Sequence, residues 1–266
     1  MTAARQQRYD DRTAIEVAPG VFHLGVQDEA NLWANIPYLV MDGGEAVIID
    51  PGSAKKDFHD VVLRKVRSVI DPVRIKHIVV QHQDPDLCAA IPLFEPLIAP
   101  DHEIHAPLEA RLLIQHYGLD REVTTLDDDD TLVFGDGRTL AFMMTPYCHF
   151  VGAMVTYDIA TRTVFSSDAF GGFSDDDALY AGETYPGQMS VFLGEYLGSR
   201  RALEYAIKRL MQVSETSGLD LICPQHGCLI GKEQIPTYLE AALNLDVGGQ
   251  IDGLARKHGI TLRHVD

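Results

Sequence analysis

The sequence predicts an α/β chain in which two mixed β-sheets are covered by helices. Three observations point there. Short apolar runs rich in Val and Ile alternate with longer runs of helical period. The strand-like runs fall both before and after the helices, not in one block, which favours layered sheets with helical covers. No tandem repeat and no Pro- or Ser-rich linker interrupts the 266 residues, and 46% of them are apolar, enough for a sizeable core. A single unit spanning 1–266 is expected, with residues 1–14 frayed.

Along the chain, Ile15–Ala18, Val21–Val26, Tyr38–Met41 and Ala46–Asp50 read as strands. Asp57–Val69 reads as a helix, with Val62, Val66, Val69 and Ile70 on one face. Lys76–Gln81 is a buried strand, because His77-Ile-Val-Val80 is β-branched and too short for a helix. Asp86–Leu97 is a helix limited by Pro92 and Pro96. Glu103–Ala106 is a strand, and Pro107–Tyr117 a helix that opens on Pro. Leu132–Phe134, Thr139–Met144, Met154–Asp158 and Thr163–Phe165 continue the β pattern. A long helix over about Ser199–Ser214, a strand at Leu219–Cys223 and a helix at Ile235–Leu245 complete it.

Charge excludes several roles. With 39 acidic against 22 basic residues, the net charge of −17 repels polyanions, and no basic patch offsets it. The run Arg64-Lys65-Val66-Arg67 reads as a solvated helix face. Asp127–Asp130 reads as a solvated turn, since it lacks the Gly and Glu spacing of a calcium loop. No apolar run approaches the roughly 20 residues of a membrane span. Met1–Arg12 lacks the apolar segment of a signal peptide, and Cys88, Cys148, Cys223 and Cys228 are too sparse for a disulfide framework. A cytoplasmic chain with reduced thiols is expected.

Chemistry-bearing residues gather where strands end. Lys76–Gln81 runs into His82-Gln-Asp84-Pro-Asp86, and Thr139–Thr145 into Pro-Tyr-Cys-His149. Thr163–Ser167 stops at Asp168, and Leu219–Pro224 leads to His226-Gly227. Loops at one sheet edge can therefore bring imidazoles and carboxylates together on rigid supports. His82 and Asp84 are two apart, so an extended segment points both one way, and Pro85 biases Asp84 away from helix. Three carboxylates with three imidazoles suit iron, manganese or zinc better than copper(I) or a cluster. The Cys223-x-x-His226-x-Cys228 grouping lacks a CxxC pair, so the cysteines read as small buried neighbours of the site. Tyr147, Tyr180, Tyr185 and Tyr196 are possible hydrogen-bond donors to it.

These segments, in this order, resemble the metallo-β-lactamase superfamily, whose fold is a four-layer αβ/βα sandwich. Val47-Ile-Ile-Asp50-Pro-Gly52 resembles its first motif, in which the Asp is structural. His82-x-Asp84-x-Asp86 resembles the second, and His149, Asp168 and Cys223-Pro-Gln-His226-Gly the third to fifth. Within the superfamily the chain is most similar to the diiron domain of flavodiiron proteins, through Phe165-Ser-Ser-Asp168-Ala-Phe170-Gly and the Phe192–Ile207 stretch. It is also similar to the shorter oxygen-binding diiron proteins, which lack a flavodoxin domain. Only 40 residues follow His226, and no such domain is expected.

The resemblance implies two iron ions, with zinc or manganese as alternatives, and no FMN. His82, Asp84, His149 and Asp168 would bind one ion, and Asp86, Asp168 and His226 the other, with Asp168 bridging. Two positions depart from the pattern. Asp84 stands where hydrolases of the superfamily carry His and flavodiiron proteins carry Glu, and Leu87 stands where both usually place a His ligand. The implied function is a non-haem diiron protein that binds or reduces dioxygen, as a sensor or as an oxidoreductase fed by an external electron donor. The alternative is a binuclear metallohydrolase acting on an ester or phosphodiester. Expected partners are dioxygen or another small molecule, an electron donor and a second copy of the chain, with neither nucleic acid nor membrane.

Overall fold

The structure, a computed structural model, describes residues 7–28, 33–174 and 177–262. The first sheet is built from β1 (Ile15–Ala18), β2 (Val21–His23), β5 (Tyr38–Asp42), β6 (Glu45–Ile49), β7 (Ile75–Val79), β8 (Glu103–Pro107) and β9 (Val123–Leu126), in that spatial order. Its β1–β6 side is antiparallel, and β6 to β9 run parallel. Between β2 and β5 the chain makes a separate two-stranded ribbon, β3 (Val26–Asp28) with β4 (Trp33–Asn35). The second sheet holds β10 (Thr131–Phe134), β11 (Arg138–Met144), β12 (Met154–Asp158), β13 (Thr163–Phe165), β14 (Leu221–Cys223) and β15 (Ile230–Gly231) in sequence order. The helices are α1 (Lys56–Arg67), α2 (Pro85–Cys88), α3 (Ile91–Phe94), α4 (Leu108–Ile114), α5 (Tyr185–Tyr196), α6 (Arg200–Thr216), α7 (Ile235–Leu243) and α8 (Gly249–His258).

Strand alternation assigns the layers. In β6, Val47 and Ile49 join a core shared with Leu140, Phe142, Met154 and Phe165 of the second sheet, while Ile48 joins Phe58, Val62 and Val66 of α1 on the opposite face. On the far side of the second sheet, Val155, Val164 and Ile222 pack against Met189 of α5, Ile207 and Leu210 of α6, and Leu239 of α7. The order is helix, sheet, sheet, helix, the four-layer αβ/βα sandwich expected.

Several expectations need correction. The run Val21–Val26 is two strands: after His23 the Leu24 amide bonds to the Pro37 carbonyl, and the chain leaves the sheet to form β3. Asp86–Leu97 is two one-turn helices, because Pro92 offers no N–H to a continuing ladder and sits in the first turn of a new one. The N-terminal stretch is not frayed over residues 7–9. Arg8 bridges to Ala178, the Tyr9 amide bonds to the Asp177 carbonyl, and the Tyr9 ring is buried 4.8 Å from the His23 ring. Residues 1–6 lie outside the described residues. β4, β9, β15, α8 and most of α5 lie outside the elements that the sequence predicts. Among the described residues no helix is long and apolar enough to cross a membrane.

Candidate metal centre

Six side chains converge at the ends of four strands. Asp50 follows β6 and accepts hydrogen bonds from the Gln81 amide at 2.9 Å and the Gln81 side chain at 3.2 Å. It thereby fixes the exit of β7, from which His82 follows. Asp50 is fully buried, and burial raises its pKa to about 7, with His82 pulling the other way. It braces the site, as its motif implies, and is absent from the group of converging donors. Asp84 precedes Pro85, the first residue of α2, so the expected extended conformation at Asp84 is present, with ψ 138°. Ser167 and Tyr147, beside Asp168 and His149, both have positive φ (55° and 64°), uncommon for non-glycine residues and found at loops that aim functional side chains. Gly227 has φ +89°, and a Cβ there would lie 2.3 Å from the Tyr185 hydroxyl, so only glycine fits behind His226.

Asp168 holds the centre together. Its Oδ2 lies 3.1 Å from His82 Nε2 and 2.7 Å from His149 Nε2, and its Oδ1 lies 3.3 Å from His226 Nε2. Asp84 Oδ2 stands 3.7 Å from His82 Nε2 and 3.4 Å from His149 Nε2. Asp86 Oδ2 stands 3.6 Å from His226 Nε2. The donors thus fall into two lobes, one per oxygen of Asp168: His82, Asp84 and His149 on one side, Asp86 and His226 on the other. All six residues predicted from sequence are brought together, and His82, Asp84, His149 and Asp168 form a group able to hold a metal ion.

Electrostatics match that use. Burial opposes charge on all three imidazoles, yet Asp168 and its neighbours raise His82 to about 9 and His149 to about 10, and raise His226 as well. Burial alone would neutralise Asp168; the three histidines hold it well below the usual carboxylate range. Burial raises Asp86, reinforced by the nearby Asp168 and Asp84 carboxylates. His82 Nε2 and Asp168 Oδ1 are buried without a well-formed hydrogen bond, although each faces a charged neighbour. Such atoms are costly to leave unsatisfied, and their common direction into the centre fits a cation between them.

Three contacts support these side chains from behind. Ser167 Oγ meets His82 Nδ1 at 2.8 Å, and His226 Nδ1 donates to the Ala34 carbonyl at 2.8 Å, which leaves Nε2 of each ring for ligation. Tyr185 donates to the Phe170 carbonyl at 2.7 Å, behind the site. Ser167 could have been suspected from its place beside Asp168; Ala34 offers no signal, being 192 positions from His226. Of the other tyrosines, Tyr196 reaches the centre's pocket, while Tyr147 is exposed and Tyr180 bridges to Leu229. The pocket has a volume of about 450 Å³ and opens beside Asp84, Asp86, His149 and His226, with Phe192 and Tyr196 on its wall. Leu87 is buried in α2.

Residues 34–227 match the family described as "ODP family beta lactamase". The chain belongs to that family. It is similar to the flavo-diiron protein FprA2 of Clostridium acetobutylicum, 25% identical over 202 residues, covering 74% of this chain and 49% of the relative. The chain spans about half the length of that relative. In structure it resembles rubredoxin oxygen:oxidoreductase from Desulfovibrio gigas, with TM-score 0.78 and 21% identity over 87% of this chain and 61% of the other. It also resembles the chemotaxis sensor ODP, solved as a peroxy diiron species, with TM-score 0.75 and 19% identity over 91% of this chain and 99% of the other. At these identities the structural likeness speaks to the fold, and the ODP-family chain carries it at nearly full length on both sides.

Proposed function

We propose that this ODP-family chain is a non-haem diiron protein that binds dioxygen, and that His82, Asp84, His149 and Asp168 hold one iron while Asp86, Asp168 and His226 hold the other. The division of donors between the two oxygens of Asp168 carries this reading. The oxygen-rich set, with Asp84 in place of a further imidazole, favours iron over zinc. Ferrous ions at the two positions would supply one electron each to dioxygen.

The protein's own part is to hold and shield. Asp168 neutralises charge between the two positions, and Ser167 and the Ala34 carbonyl orient His82 and His226. Tyr196 faces the pocket with its pKa raised by burial and by the Asp86 and Asp168 carboxylates, so it stays protonated at neutral pH and can donate a hydrogen bond to an oxygen ligand. Phe192 stacks on Tyr196 with 4.8 Å between ring centroids and limits water on that wall. Turnover beyond the first two electrons would draw on a separate donor. Sensing needs no such donor.

The test is metal analysis of anaerobically purified protein, followed by admission of dioxygen while the near-ultraviolet and visible spectrum is recorded. Close to two irons per chain and an oxygen-dependent absorption band are expected. Stoichiometric zinc, a silent spectrum and hydrolysis of an ester or phosphodiester would overturn the reading in favour of a metallohydrolase.

A further inference from the structure

A second group of metal-type donors lies away from the centre, on the first sheet. Parallel pairing of β7 with β8 sets His77 directly across from Glu103, with His105 two residues further along β8. All three therefore project from one face. It is the face that meets the second sheet, since Val79, next but one to His77, joins the core between the sheets while Ile78, Ile104 and Ala106 pack against the helices. On a surface otherwise apolar at Val47, Ile49, Val79 and Leu126, these two imidazoles stand apart and form a hydrogen-bonded pair with each other.

Their spacing is that of a coordination shell. His77 Nδ1 lies 3.1 Å from His105 Nε2, and Glu103 Oε2 lies 3.5 Å from each of those nitrogens. Three donors at about 2.0–2.1 Å from a tetrahedral ion stand about 3.3–3.4 Å apart. The triangle found here is within about 0.3 Å of that on every edge. Burial lowers the pKa of both imidazoles, His105 to about 4 with a further push from His77. Both are thus neutral at pH 7, the form that ligates. The Glu103 side chain is 58% exposed, which gives an ion and a completing water a route in. Along β7 the group is separated from His82 by on the order of 15 Å, so it is independent of the diiron reading.

We propose that His77, Glu103 and His105 form a separate site for one divalent zinc-type ion, with three protein ligands and a fourth position open to solvent. Two imidazoles and one carboxylate with an open position are a donor set that zinc accepts readily.

The experiment uses iron-loaded full-length protein dialysed against micromolar zinc chloride, with iron and zinc counted together. Wild type is expected to take up one zinc per chain while keeping its iron. His77→Gln and His105→Gln should each abolish that uptake, with iron content unchanged. Glu103→Gln, at a largely exposed position that the fold tolerates, should weaken zinc binding by at least about tenfold, the loss that even an outer-shell partner causes. Absence of zinc uptake by wild type overturns the proposal. So does uptake that persists undiminished in Glu103→Gln and in whichever histidine variants fold, since the ion would then sit on other side chains.

Discussion

Ser167 Oγ lies 2.8 Å from Nδ1 of His82, while Nε2 of the same ring faces Asp168 at 3.1 Å. One residue of the Asp168 loop thus orients an imidazole that comes from the other sheet. Ser167→Ala would leave a buried ring nitrogen without its partner. We expect iron affinity to fall by about 10- to 100-fold with little loss of fold, measured by chelator competition. Unaltered affinity would show that the ring is held by packing alone.

Asp168→Ala should remove both metal ions together, because each oxygen serves a different lobe. Asp101→Ala is the matched control: that carboxylate is largely exposed and pairs with Lys76. Glu95 would be a poor control, since it is buried and accepts the backbone N–H groups of Asp120 and Arg121. Iron counted per chain decides the matter, and an Asp168→Ala protein that keeps two irons would refute the bridging role.

Metal loading and pH should be coupled in a defined direction. In the apo protein His82 and His149 titrate at about 9 and about 10, above the ordinary imidazole value of about 6.5. With these two groups the folded state binds more protons than the unfolded one between about pH 6.5 and 10, so the stability they contribute is full below that window and is lost as pH rises through it. Loading with iron at pH 7 must expel those protons. Calorimetry in buffers of different ionisation enthalpy should report proton release on loading, and less of it in a His82→Gln variant, in which His149 and His226 remain. Flat apo stability from pH 6.5 to 10 would contradict the assignment.

Leu87 follows the proposed ligand Asp86 in α2 and is almost wholly buried. By the resemblance, this is a place where a ligand imidazole usually stands. Leu87→His should destabilise the apo protein by about 1–3 kcal/mol, the cost of a buried unsatisfied polar group, and iron should restore the loss. Thermal unfolding with and without iron separates the effects. A deficit that iron leaves intact would show that residue 87 only packs.

By itself the sequence determined the strands and the candidate ligands at their ends. Val47-Ile-Ile, His77-Ile-Val-Val80 and Thr163-Val-Phe are β-branched or aromatic over a few residues, a signal contained in the run itself. His82, Asp84, Asp86, His149, Asp168 and His226 stand out because polar residues follow each run directly. Tertiary structure decided what depends on neighbours remote in the chain. Val21–Val26 breaks at Leu24 because its amide finds the Pro37 carbonyl, and β15 exists only as a two-residue partner of β14. The Ala34 carbonyl behind His226 and the triangle of His77, Glu103 and His105 arise the same way. A backbone carbonyl carries no mark in sequence, and two histidines 28 positions apart become neighbours only when β7 and β8 pair in one register. Hydrophobic period is local and survives in the primary structure; strand register and cross-layer contact belong to the assembled core alone.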